Sequence, residues 1–351
     1  MRCLVAMSGG IDSTVTAMLL KEQGYELVGV TFRTFDSIKE SCLAREKGCC
    51  SVESIMEAKH MAAQLGFEHH IVDFRQIFRE QVIDAFTYDY LHGRTPNPCV
   101  LCNSHIKWGE LVRVADEYGC EKIATGHYAQ IEHKDGHWYL KRAVDTTKDQ
   151  TYFLWMLTEE NIARTVFPLG GYTKPQVRQM AADRGFVKLS QKVESQDICF
   201  LPNGDYRSFL LEQHQSADSK AFTSGDYIDS TGNVVGRHEG FANYTIGQRK
   251  GLGIALGYPA FVTKIDAAHN IVQVGAREDL NRYEVRFNSR FFKGDAESLV
   301  LAQIRYRSKP TEARLIGDNC LYFTEPVWGP TPGQSLVMYQ NDLLVGGGII
   351  E

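Results

Sequence analysis

The residues best suited to chemistry stand near the start of the chain, where residues 6–13 read Ala-Met-Ser-Gly-Gly-Ile-Asp-Ser. They follow a short apolar segment and precede a helical pattern that runs from Ser13 to about Lys21. The adjacent Gly9 and Gly10 let the backbone approach an anion closely, and a helix N-terminus directs free N–H groups and a positive dipole end at the same place. The segment therefore predicts a phosphate-binding loop. A Gly-Gly turn before an ordinary helix is the plain alternative.

This loop differs from the two best-known nucleotide-binding motifs. No Gly-Lys-Ser/Thr follows it, and the dinucleotide fingerprint G-x-G-x-x-G is absent. Its S-G-G-x-D-S pattern resembles the loop of the PP-loop ATP pyrophosphatases, which split ATP into AMP and pyrophosphate to adenylate a second substrate. The resemblance implies an ATP site that includes Ala6, Met7, Ser8, Gly9, Gly10, Ile11, Asp12 and Ser13, with Asp12 near a magnesium ion.

Three cysteines are candidates for sulfur or metal chemistry. Cys99 and Cys102 form a C-x-x-C motif in a proline-containing segment, and Cys199 lies far from them in the sequence. The two prolines predict an extended loop that ends where a helix begins at about Ser104. A thiol near a helix N-terminus has a lowered pKa, and the thiolate is both the nucleophile and the metal ligand. Redox chemistry, a zinc site, an iron–sulfur site and two plain buried thiols all remain open for a single C-x-x-C.

Composition excludes several classes of protein. The chain has 351 residues, 43% hydrophobic and 23% charged, which is typical of a soluble protein with two or three domains. No apolar run reaches the length of a membrane span, and a cleaved signal peptide would destroy the loop that begins at Ala6, so we expect a cytoplasmic protein. The net charge of −5 gives no global support for nucleic-acid binding, although basic clusters exist at residues 141–142, 248–250 and 305–307. Nine cysteines in a reducing compartment favour thiols, metal ligands or catalysts over structural disulfides.

The first half of the chain alternates strand and helix patterns. Strands are predicted at 3–7, 27–32, 69–72 and 122–125, and helices at 13–23, 52–65, 78–91 and 104–117. This alternation predicts a parallel sheet with helices on both faces, whose ligands bind at the carboxyl ends of the strands. Further along, residues 129–142 predict a hairpin around Asp135-Gly136, residues 151–157 predict a helix, and Thr173 is the predicted N-cap of a helix over 173–184. Residues 36–48 are polar and irregular, which indicates a surface insertion.

The second half changes character near Asp205, where long helical patterns give way to glycine and short alternating segments. We predict an α/β fold of the adenine nucleotide alpha hydrolase-like (PP-loop) type, with a small central domain and a C-terminal β-barrel. The predicted boundaries are 1–204 for the ATP-binding catalytic domain, 205–280 for the central linking domain and 281–351 for the barrel.

Several motifs in one order resemble the tRNA-specific 2-thiouridylase family over nearly the whole chain. Besides the phosphate loop, these are Pro-Asn-Pro-Cys-x-x-Cys-Asn at 96–103, Ala-Thr-Gly-His-Tyr-Ala at 124–129, Lys-Asp-Gln-Thr-Tyr-Phe-Leu at 148–154, Ser-Gln-Asp-Ile-Cys-Phe at 195–200, Tyr-Thr-Ile-Gly-Gln-Arg-Lys-Gly-Leu-Gly at 244–253, Ile-Arg-Tyr-Arg at 304–307 and Pro-Gly-Gln at 332–334.

The resemblance implies a reaction. ATP adenylates the C2 oxygen of the wobble uridine (U34) in certain tRNAs, a cysteine persulfide supplies sulfur to C2, and 2-thiouridine, AMP and pyrophosphate result. It implies ATP and Mg²⁺ as cofactors, and the anticodon stem-loop of tRNA and a persulfide sulfur-donor protein as partners. It also implies that the barrel at 281–351 contacts the tRNA, that the protein does not associate with a membrane, and that it is a monomer. A disulfide between the two catalytic cysteines would resolve the intermediate.

The resemblance also implies roles for individual residues. Cys102 matches the nucleophile and Cys199 the persulfide carrier, while Phe32 and Gly126 would contact the nucleotide. The implied tRNA contacts are Asn97, Pro98, Cys99, His127, Lys148, Asp149, Gln150, Arg305, Tyr306 and Gln334, the first three lining the target base. Taken alone, Phe32 also fits a core position, His127 a structural histidine, residues 305–306 an exposed strand, and Gln334 a turn.

One departure concerns Cys99, since many members of the family carry Asp there. Three cysteines, Cys99, Cys102 and Cys199, could hold a [4Fe–4S] cluster. The persulfide route, with Cys99 as a spare thiol, is the favoured hypothesis and the cluster is the alternative. A second group, Cys42, Cys49 and Cys50, lacks an obvious fourth zinc ligand, so an incidental or structural role is the default and relay of persulfide sulfur the alternative.

Two other functions compete with this reading. An amidotransferase-type synthetase would use the same loop but needs an ammonia source, and the chain shows neither a glutaminase domain nor an N-terminal nucleophilic cysteine. A non-catalytic RNA-binding or iron–sulfur sensing protein is the other alternative; loss of Asp12 or Cys199 would have supported it, and both are present.

Overall fold

The computed structural model describes residues 1–35, 52–191, 198–201, 204–213, 219–295 and 297–351. The insertion predicted at 36–48, with Cys42, Cys49 and Cys50, lies outside the described residues, as do residues 195–197 of the Ser-Gln-Asp-Ile-Cys-Phe motif. The chain divides into two compact units. The first unit comprises Met1–Val82, Cys99–Gly204 and Asp342–Leu344, and the second comprises Ile83–Pro98, Asp205–Asn341 and Val345–Glu351.

In the first half of the chain, the structure describes the following strands and helices. The strands are β1 Arg2–Ala6, β2 Glu26–Arg33, β3 Glu68–Asp73, β4 Lys122–Ala124, β5 Gln130–Lys134, β6 His137–Lys141 and β7 Thr165–Val166. The α-helices are α1 Ile11–Glu22, α2 Val52–Leu65, α3 Arg75–Phe78, α4 Asp84–Leu91, α5 Pro98–Leu101, α6 Leu111–Glu117, α7 Glu159–Arg164, α8 Lys174–Asp183 and α9 Val187–Ser190. Two π-helical segments, Arg79–Ile83 and Cys102–Glu110, continue α3 and α5, and 3-10 turns occupy Thr151–Phe153 and Pro168–Gly171.

The remaining elements lie in the second half. The helix α10 spans Tyr206–Gln213, and 3-10 turns lie at Lys220–Phe222, Phe241–Asn243 and Glu278–Leu280. The strands are β8 Gly225–Ile228, β9 Val234–His238, β10 Phe261–Asp266, β11 Ile271–Gly275, β12 Asn281–Phe292, β13 Val300–Gln303, β14 Thr311–Ile316, β15 Cys320–Trp328, β16 Ser335–Gln340 and β17 Leu343–Ile350.

The predicted parallel sheet is confirmed. Its order is β3-β2-β1-β4-β7, and each neighbouring pair of strands is parallel. The middle residues of β1 are buried on both faces, as a parallel strand covered by helices requires. One face packs Ala17 and Leu20 of α1 and Ala58 of α2 against β1, while the opposite side of α1 packs Val15 against Val177 of α8.

The strand order reverses at β1. The chain moves outward from β1 to β2 and β3, then returns to place β4 on the other side of β1. Ligands of open α/β sheets bind in the crevice that such a reversal leaves at the carboxyl ends of the strands. The segments that follow β1 and β4, residues 7–10 and 125–128, therefore border the expected site.

The predicted hairpin and C-terminal barrel are also confirmed. β5 and β6 pair antiparallel around Asp135 and Gly136, both at positive φ. The barrel follows the order β12-β15-β14-β13-β16-β17 and closes because β12 also pairs with β17. Its inner positions are apolar, with Phe287, Phe323 and Val337 fully buried. A smaller sheet has the order β10-β11-β8-β9.

Three residues late in the chain belong to the first unit. Leu343 pairs with Lys141 of β6, and the Arg142 N–H donates to the Asp342 carbonyl over 3.0 Å. The predicted domain boundaries at 204 and 280 stay a prediction, because each of the two compact units is made of several separate segments of the chain. None of the described helices is long and apolar enough to cross a membrane.

Candidate functional site

The phosphate loop lies between β1 and α1, as the sequence predicts. Gly9 has φ +69°, a conformation that L side chains rarely adopt, and a Cβ there would meet the Ser54 carbonyl. The Ser8 N–H donates to Ser13 Oγ over 3.2 Å, which folds the loop back on the helix. No described side chain caps α1 at Gly10, so the first-turn N–H groups can take an anion.

Gly126 brings the segment after β4 against this loop. A Cβ on Gly126 would lie 2.9 Å from the Asp12 carbonyl carbon and 3.0 Å from the Ser13 nitrogen. Only glycine allows so close an approach of the two backbones. The structure thus places Gly126 beside the phosphate loop, and its contact with the nucleotide stays a prediction.

Asp12 is held by a buried lysine that the sequence analysis did not single out. The Lys174 ammonium lies 2.7 Å from both Asp12 carboxylate oxygens, and Lys174 is 6% exposed. The Tyr128 hydroxyl donates to Asp12 Oδ1 over 2.9 Å, and Lys174 Nζ lies 5.6 Å from the centre of the Tyr128 ring. The phosphate loop therefore borders a Lys174–Asp12 ion pair.

Lys174 occupies the first position of α8, after the capping box made by Thr173 and Gln176. Its N–H donates to Asp145 Oδ2 over 2.9 Å. A cation at a helix N-terminus opposes the helix dipole, and this unfavourable placement was the signal available in the sequence, because the cap at Thr173 was predicted.

The fit of a magnesium ion at Asp12 follows from these contacts. Both carboxylate oxygens face the ammonium of Lys174, so a metal bound directly to Asp12 would have to compete with that cation. Phosphate oxygens of ATP and water are the ligands that Mg²⁺ ordinarily uses in nucleotide sites. The loop therefore fits a metal brought in on the nucleotide better than a metal held by Asp12 beforehand.

Phe32 lies in β2, with its ring centre 5.2 Å from that of Phe74. The ring is half-buried, at the carboxyl end of the strand next to β1. This position fits both stacking of the Phe32 ring on a flat ligand and packing of the ring in the core. The predicted contact with adenine therefore stays a prediction.

The two cysteines of the C-x-x-C motif lie inside a helix, so the prediction that the helix begins at Ser104 is wrong. The helix begins at Pro98, which needs no N–H partner at the first helical position, and continues through Cys99 into the π-helical segment Cys102–Glu110. Such π-helical turns are frequent at functional sites. Cys102 is half-buried.

The expectation of a lowered pKa is also wrong for Cys99. Burial raises the pKa of the Cys99 thiol, and the nearby positive charge of Lys107 only partly opposes this effect. Desolvation disfavours a thiolate more than one ammonium and a helix N-terminus stabilise it here. Cys99 is therefore a neutral thiol near pH 7.

Lys107 also fixes the state of His127. The ammonium lies 3.3 Å from His127 Nε2, and an ammonium can only donate, so Nε2 accepts and Nδ1 carries the proton. That proton is directed to Thr125 Oγ1 over 2.7 Å. Burial first and Lys107 second lower the pKa of His127 well below its usual value, so the ring is neutral near pH 7.

Cys199 is exposed. The ring of the next residue, Phe200, is buried and lies 5.8 Å from Phe78 and 6.4 Å from Phe35, centre to centre. Phe35 comes shortly after β2, so these contacts hold Cys199 near the carboxyl end of the sheet. An exposed thiol on a held segment is suited to accept sulfur from another molecule.

A cluster site was the alternative for the three cysteines. Among the described residues, which include Cys99, Cys102 and Cys199, no group of three or more His, Cys, Asp and Glu side chains is arranged to hold a metal ion. The donor set therefore does not fit a [4Fe–4S] cluster in this arrangement, and we derive no step through one.

The predicted tRNA contacts at 148–150 point largely into the protein. Asp149 accepts from the Ala143 N–H over 2.9 Å and from the Thr151 hydroxyl over 2.7 Å; burial raises the pKa of Asp149 nonetheless. Gln150 Oε1 accepts from the Tyr128 N–H over 2.9 Å. Lys148 is half-buried. Gln150 thus supports the segment at Tyr128, and the contact of residues 148–150 with RNA stays a prediction.

In the second unit, Gln334 holds the segment that leads to Asn97 and Pro98. Its Nε2 donates to the carbonyls of Thr95 and Pro96 over 2.9 and 3.0 Å. The Thr95 N–H donates to the Pro332 carbonyl over 2.8 Å. Asn97 is half-buried and Pro98 buried.

Arg305 is likewise bonded to the protein's own backbone. Its Nη2 donates to the Ile246 carbonyl over 3.0 Å and the Gly329 carbonyl over 2.7 Å. The guanidinium carbon lies 5.8 Å from the centre of the Trp328 ring. The neighbouring Tyr306 is half-buried, and its carbonyl accepts from Gln303 Nε2 over 2.9 Å. The sequence analysis missed this supporting role of Arg305.

Comparison with known proteins defines the class first. Residues 1–203 match the tRNA methyl transferase HUP domain, residues 211–276 the tRNA methyl transferase PRC-barrel domain, and residues 277–350 the aminomethyltransferase beta-barrel domain. The chain is thus a HUP-type α/β protein followed by two β domains.

Full-length relatives then give the family. The tRNA-specific 2-thiouridylase of Amoebophilus asiaticus is 46% identical over 359 residues, which cover 100% of this chain and 95% of the relative. Those of Cytophaga hutchinsonii and Salinibacter ruber are 45% and 44% identical, covering 100% of this chain and 97% and 94% of the relatives. The chain belongs to the tRNA-specific 2-thiouridylase family, as its motifs predict.

Proposed function

We propose that this protein uses ATP to convert the wobble uridine of tRNA into 2-thiouridine. ATP adenylates the C2 oxygen of the uridine and releases pyrophosphate; sulfur from a cysteine persulfide then replaces that oxygen, which leaves as AMP. The observation that carries the proposal is the phosphate loop, with the Lys174–Asp12 ion pair beside it, at the strand reversal of a chain that belongs to this family.

The phosphate loop supports the first half-reaction. The N–H groups at the start of α1 and the hydroxyl of the exposed Ser8 supply donors to phosphate oxygens, while the Ser13 hydroxyl donates to the Gly10 carbonyl within the loop. Lys174 supplies an ammonium group that lies 2.7 Å from the Asp12 carboxylate. Negative charge develops on the leaving pyrophosphate as its bond to the α-phosphorus breaks, and a fixed cation at that place lowers the barrier. Mg²⁺ bound to the nucleotide would add a second positive charge there.

The cysteines support the second half-reaction. The terminal sulfur of a Cys199 persulfide attacks C2, and AMP departs with the oxygen. The Cys102 thiolate then attacks the Cys199 sulfur, the bond between the two sulfurs of the former persulfide breaks, and its electron pair stays on the uridine sulfur as the thiocarbonyl forms. A Cys102–Cys199 disulfide remains, which a dithiol reductant must reduce before the next turnover.

His127 and Lys107 form the polar side of this proposed site. His127 is neutral with Nε2 as acceptor, so it can position a donor but carries no charge. Lys107 supplies the positive charge and, by its effect on the Cys99 pKa, acts near the C-x-x-C motif. In this arrangement Cys99 is a spare thiol and the persulfide pathway uses Cys102 and Cys199.

The direct test is an anaerobic reaction with ATP, Mg²⁺, a persulfide source and unmodified tRNA, followed by mass spectrometry of the nucleosides and assay of AMP. We expect ATP-dependent 2-thiouridine that is lost in Cys199→Ala and retained in Cys320→Ala, which alters a buried thiol of β15. AMP formation without a thiolated nucleoside would contradict the proposal and favour a ligase that uses another nucleophile.

A further inference from the structure

A glycine-rich turn in the second unit, residues 244–253, is fixed by its own side chains. Gln248 bridges the turn: its Oε1 accepts from the Thr245 N–H over 3.2 Å and its Nε2 donates to the Lys250 carbonyl over 3.0 Å. Three glycines have positive φ, namely Gly247 (+84°), Gly251 (+76°) and Gly253 (+68°). The turn has one conformation because both its backbone and its bridging side chain are specified.

The turn is also bonded to the rest of the second unit. The Gly247 N–H donates to the Val262 carbonyl over 2.8 Å, and the Val262 N–H donates to the Gln248 carbonyl over 3.0 Å. Arg305 donates to the Ile246 carbonyl from the other side. These bonds attach the turn to β10 and to the segment that follows β13.

Packing restricts the turn further. A Cβ on Gly247 would lie 2.9 Å from Cη2 of Trp328, so the Trp328 ring lies directly against this glycine. The Thr95 hydroxyl donates to the Thr245 hydroxyl over 3.3 Å, which joins the turn to the segment before Asn97 and Pro98. Three neighbours therefore determine where the tip of the turn lies.

The tip consists of two cations. Arg249 and Lys250 are exposed, whereas Ile246 and Leu252 on either side are buried. Within the described part of the chain, neither cation has an ion-pair partner, unlike the exposed Arg237, which lies 3.0 Å from Asp226. The turn thus presents two uncompensated positive charges from a fixed backbone.

We propose that Arg249 and Lys250 form a binding site for backbone phosphates of tRNA close to the target nucleotide. The inference rests on the proposed function, which supplies the polyanionic partner. Paired cations that neutralise phosphates contribute sequence-independent affinity, and such contacts fix the register of a nucleic acid on a protein. The Thr95–Thr245 bond ties this register to the segment predicted to line the target base.

The test measures affinity for unmodified tRNA as a function of salt. For Arg249→Ala/Lys250→Ala we expect about tenfold or greater loss of affinity near 0.1 M salt, and a slope of log affinity against log salt that is shallower by about 1.5, since each phosphate contact contributes about 0.7 to 0.9. The matched control, Arg237→Ala/Lys264→Ala, removes the same charge from exposed positions of the same unit and should retain the wild-type slope.

A second variant separates placement from charge. Gly247→Ala keeps both cations but drives a methyl group into Trp328, so we expect weaker binding with the fold retained, as checked by circular dichroism and thermal melting. The double-alanine variant stands as the test if Gly247→Ala does not fold.

Three results would overturn the inference. One is a salt slope in Arg249→Ala/Lys250→Ala equal to that of the wild type while the wild type binds tRNA. The second is unchanged tRNA affinity of Arg249→Ala/Lys250→Ala together with 2-thiouridine formation that responds less to a sulfur-donor protein. That result would assign the turn to a protein partner. The third, a wild-type protein that does not bind tRNA at all, would contradict the proposed function as well.

Discussion

The phosphate loop of the first unit and the 95–98 segment of the second unit are both predicted to hold substrate, but they are built differently. In the phosphate loop the binding groups are backbone N–H groups whose placement depends on Gly9 and Gly126. In the second unit the residues implied by resemblance, Arg305 and Gln334, donate to the protein's own carbonyls. A sequence motif therefore identifies a site made of backbone groups directly, whereas a side chain in a motif can instead hold another part of the protein in place.

The largest expected effect concerns the charge at the phosphate loop. Lys174→Met should reduce AMP formation by about 10²- to 10³-fold, the usual cost of removing one preorganised stabilising group. It should also destabilise the fold by about 1–3 kcal/mol, because the Asp12 carboxylate, whose side chain is 32% exposed, loses this ammonium. ATP-dependent AMP release and urea unfolding measure the two effects.

Two variants check the origin of these effects. Lys188→Met makes the same change at an exposed lysine of the first unit and should change neither quantity. Asp12→Asn/Lys174→Met should recover stability without activity. Full AMP formation in Lys174→Met would remove the cation from the mechanism.

The next effect concerns the close approach of the two backbones. Gly126→Ala puts a Cβ against Asp12 and Ser13, and a shift of the loop of this kind can cost about 10²-fold in rate. Gly171→Ala is the control, since a Cβ at Gly171 meets nothing within 4 Å. Measurement of AMP formation and of tRNA affinity should show loss of the first alone; equal loss of both would mean general unfolding.

The buried His127 and its neighbour Lys107 in the first unit should make the stability of the fold depend on pH. The folded-state pKa of His127 lies well below its unfolded value of 6.5, so below pH 6.5 the unfolded chain binds a proton that the folded chain does not, and stability falls as pH falls. Between pH 6.5 and 5 the advantage of the wild type over His127→Gln in unfolding free energy should shrink by about 1–2 kcal/mol. Urea titrations at both pH values measure it; a constant difference would mean that the pKa of His127 is the same in the folded and unfolded states.

The smallest effect concerns Gln334 of the second unit, and it decides whether Gln334 supports the 95–98 segment or contacts tRNA. Gln334→Glu faces a carboxylate to two carbonyls, and the loss of two hydrogen bonds should lower the rate of 2-thiouridine formation at saturating tRNA about tenfold. Gln340→Glu, where Gln340 donates to the carbonyls of Asp295 and Leu299, is the matched control. Weaker tRNA binding with an unchanged rate would instead assign Gln334 to the RNA, as the resemblance implies.

The sequence was sufficient where local patterns determine structure. Continuous apolar strands and the Gly-Gly loop predict the parallel sheet and its ligand edge, and Asp135-Gly136 predicts the hairpin. The start of α5 could not be placed, because Pro98 fits both an extended segment and the first helical position. The neutral Cys99 thiol depends on burial, which tertiary packing decides.

The partners of charged residues were not predictable either. Asp12 and Lys174 are separated by 162 positions, so no local pattern links them; only the unfavourable place of a lysine at the start of α8 gave a hint. Arg305 and Gln334 could be identified as members of motifs, but the carbonyls that they bind belong to distant turns. Sequence patterns identify reactive groups well and their tertiary contacts poorly.

The pairing of Leu343 with Lys141 has a consequence for biosynthesis. Most of the first unit has been made once the chain reaches Gly204, but the edge next to β6 is completed only when residues 342–344 have left the ribosome. A nascent chain lacking them presents that strand edge to the surroundings, where unpaired backbone invites association with other chains. The nucleotide-binding unit is therefore completed only after the long intervening segment of the second unit, Asp205–Asn341, has been synthesised.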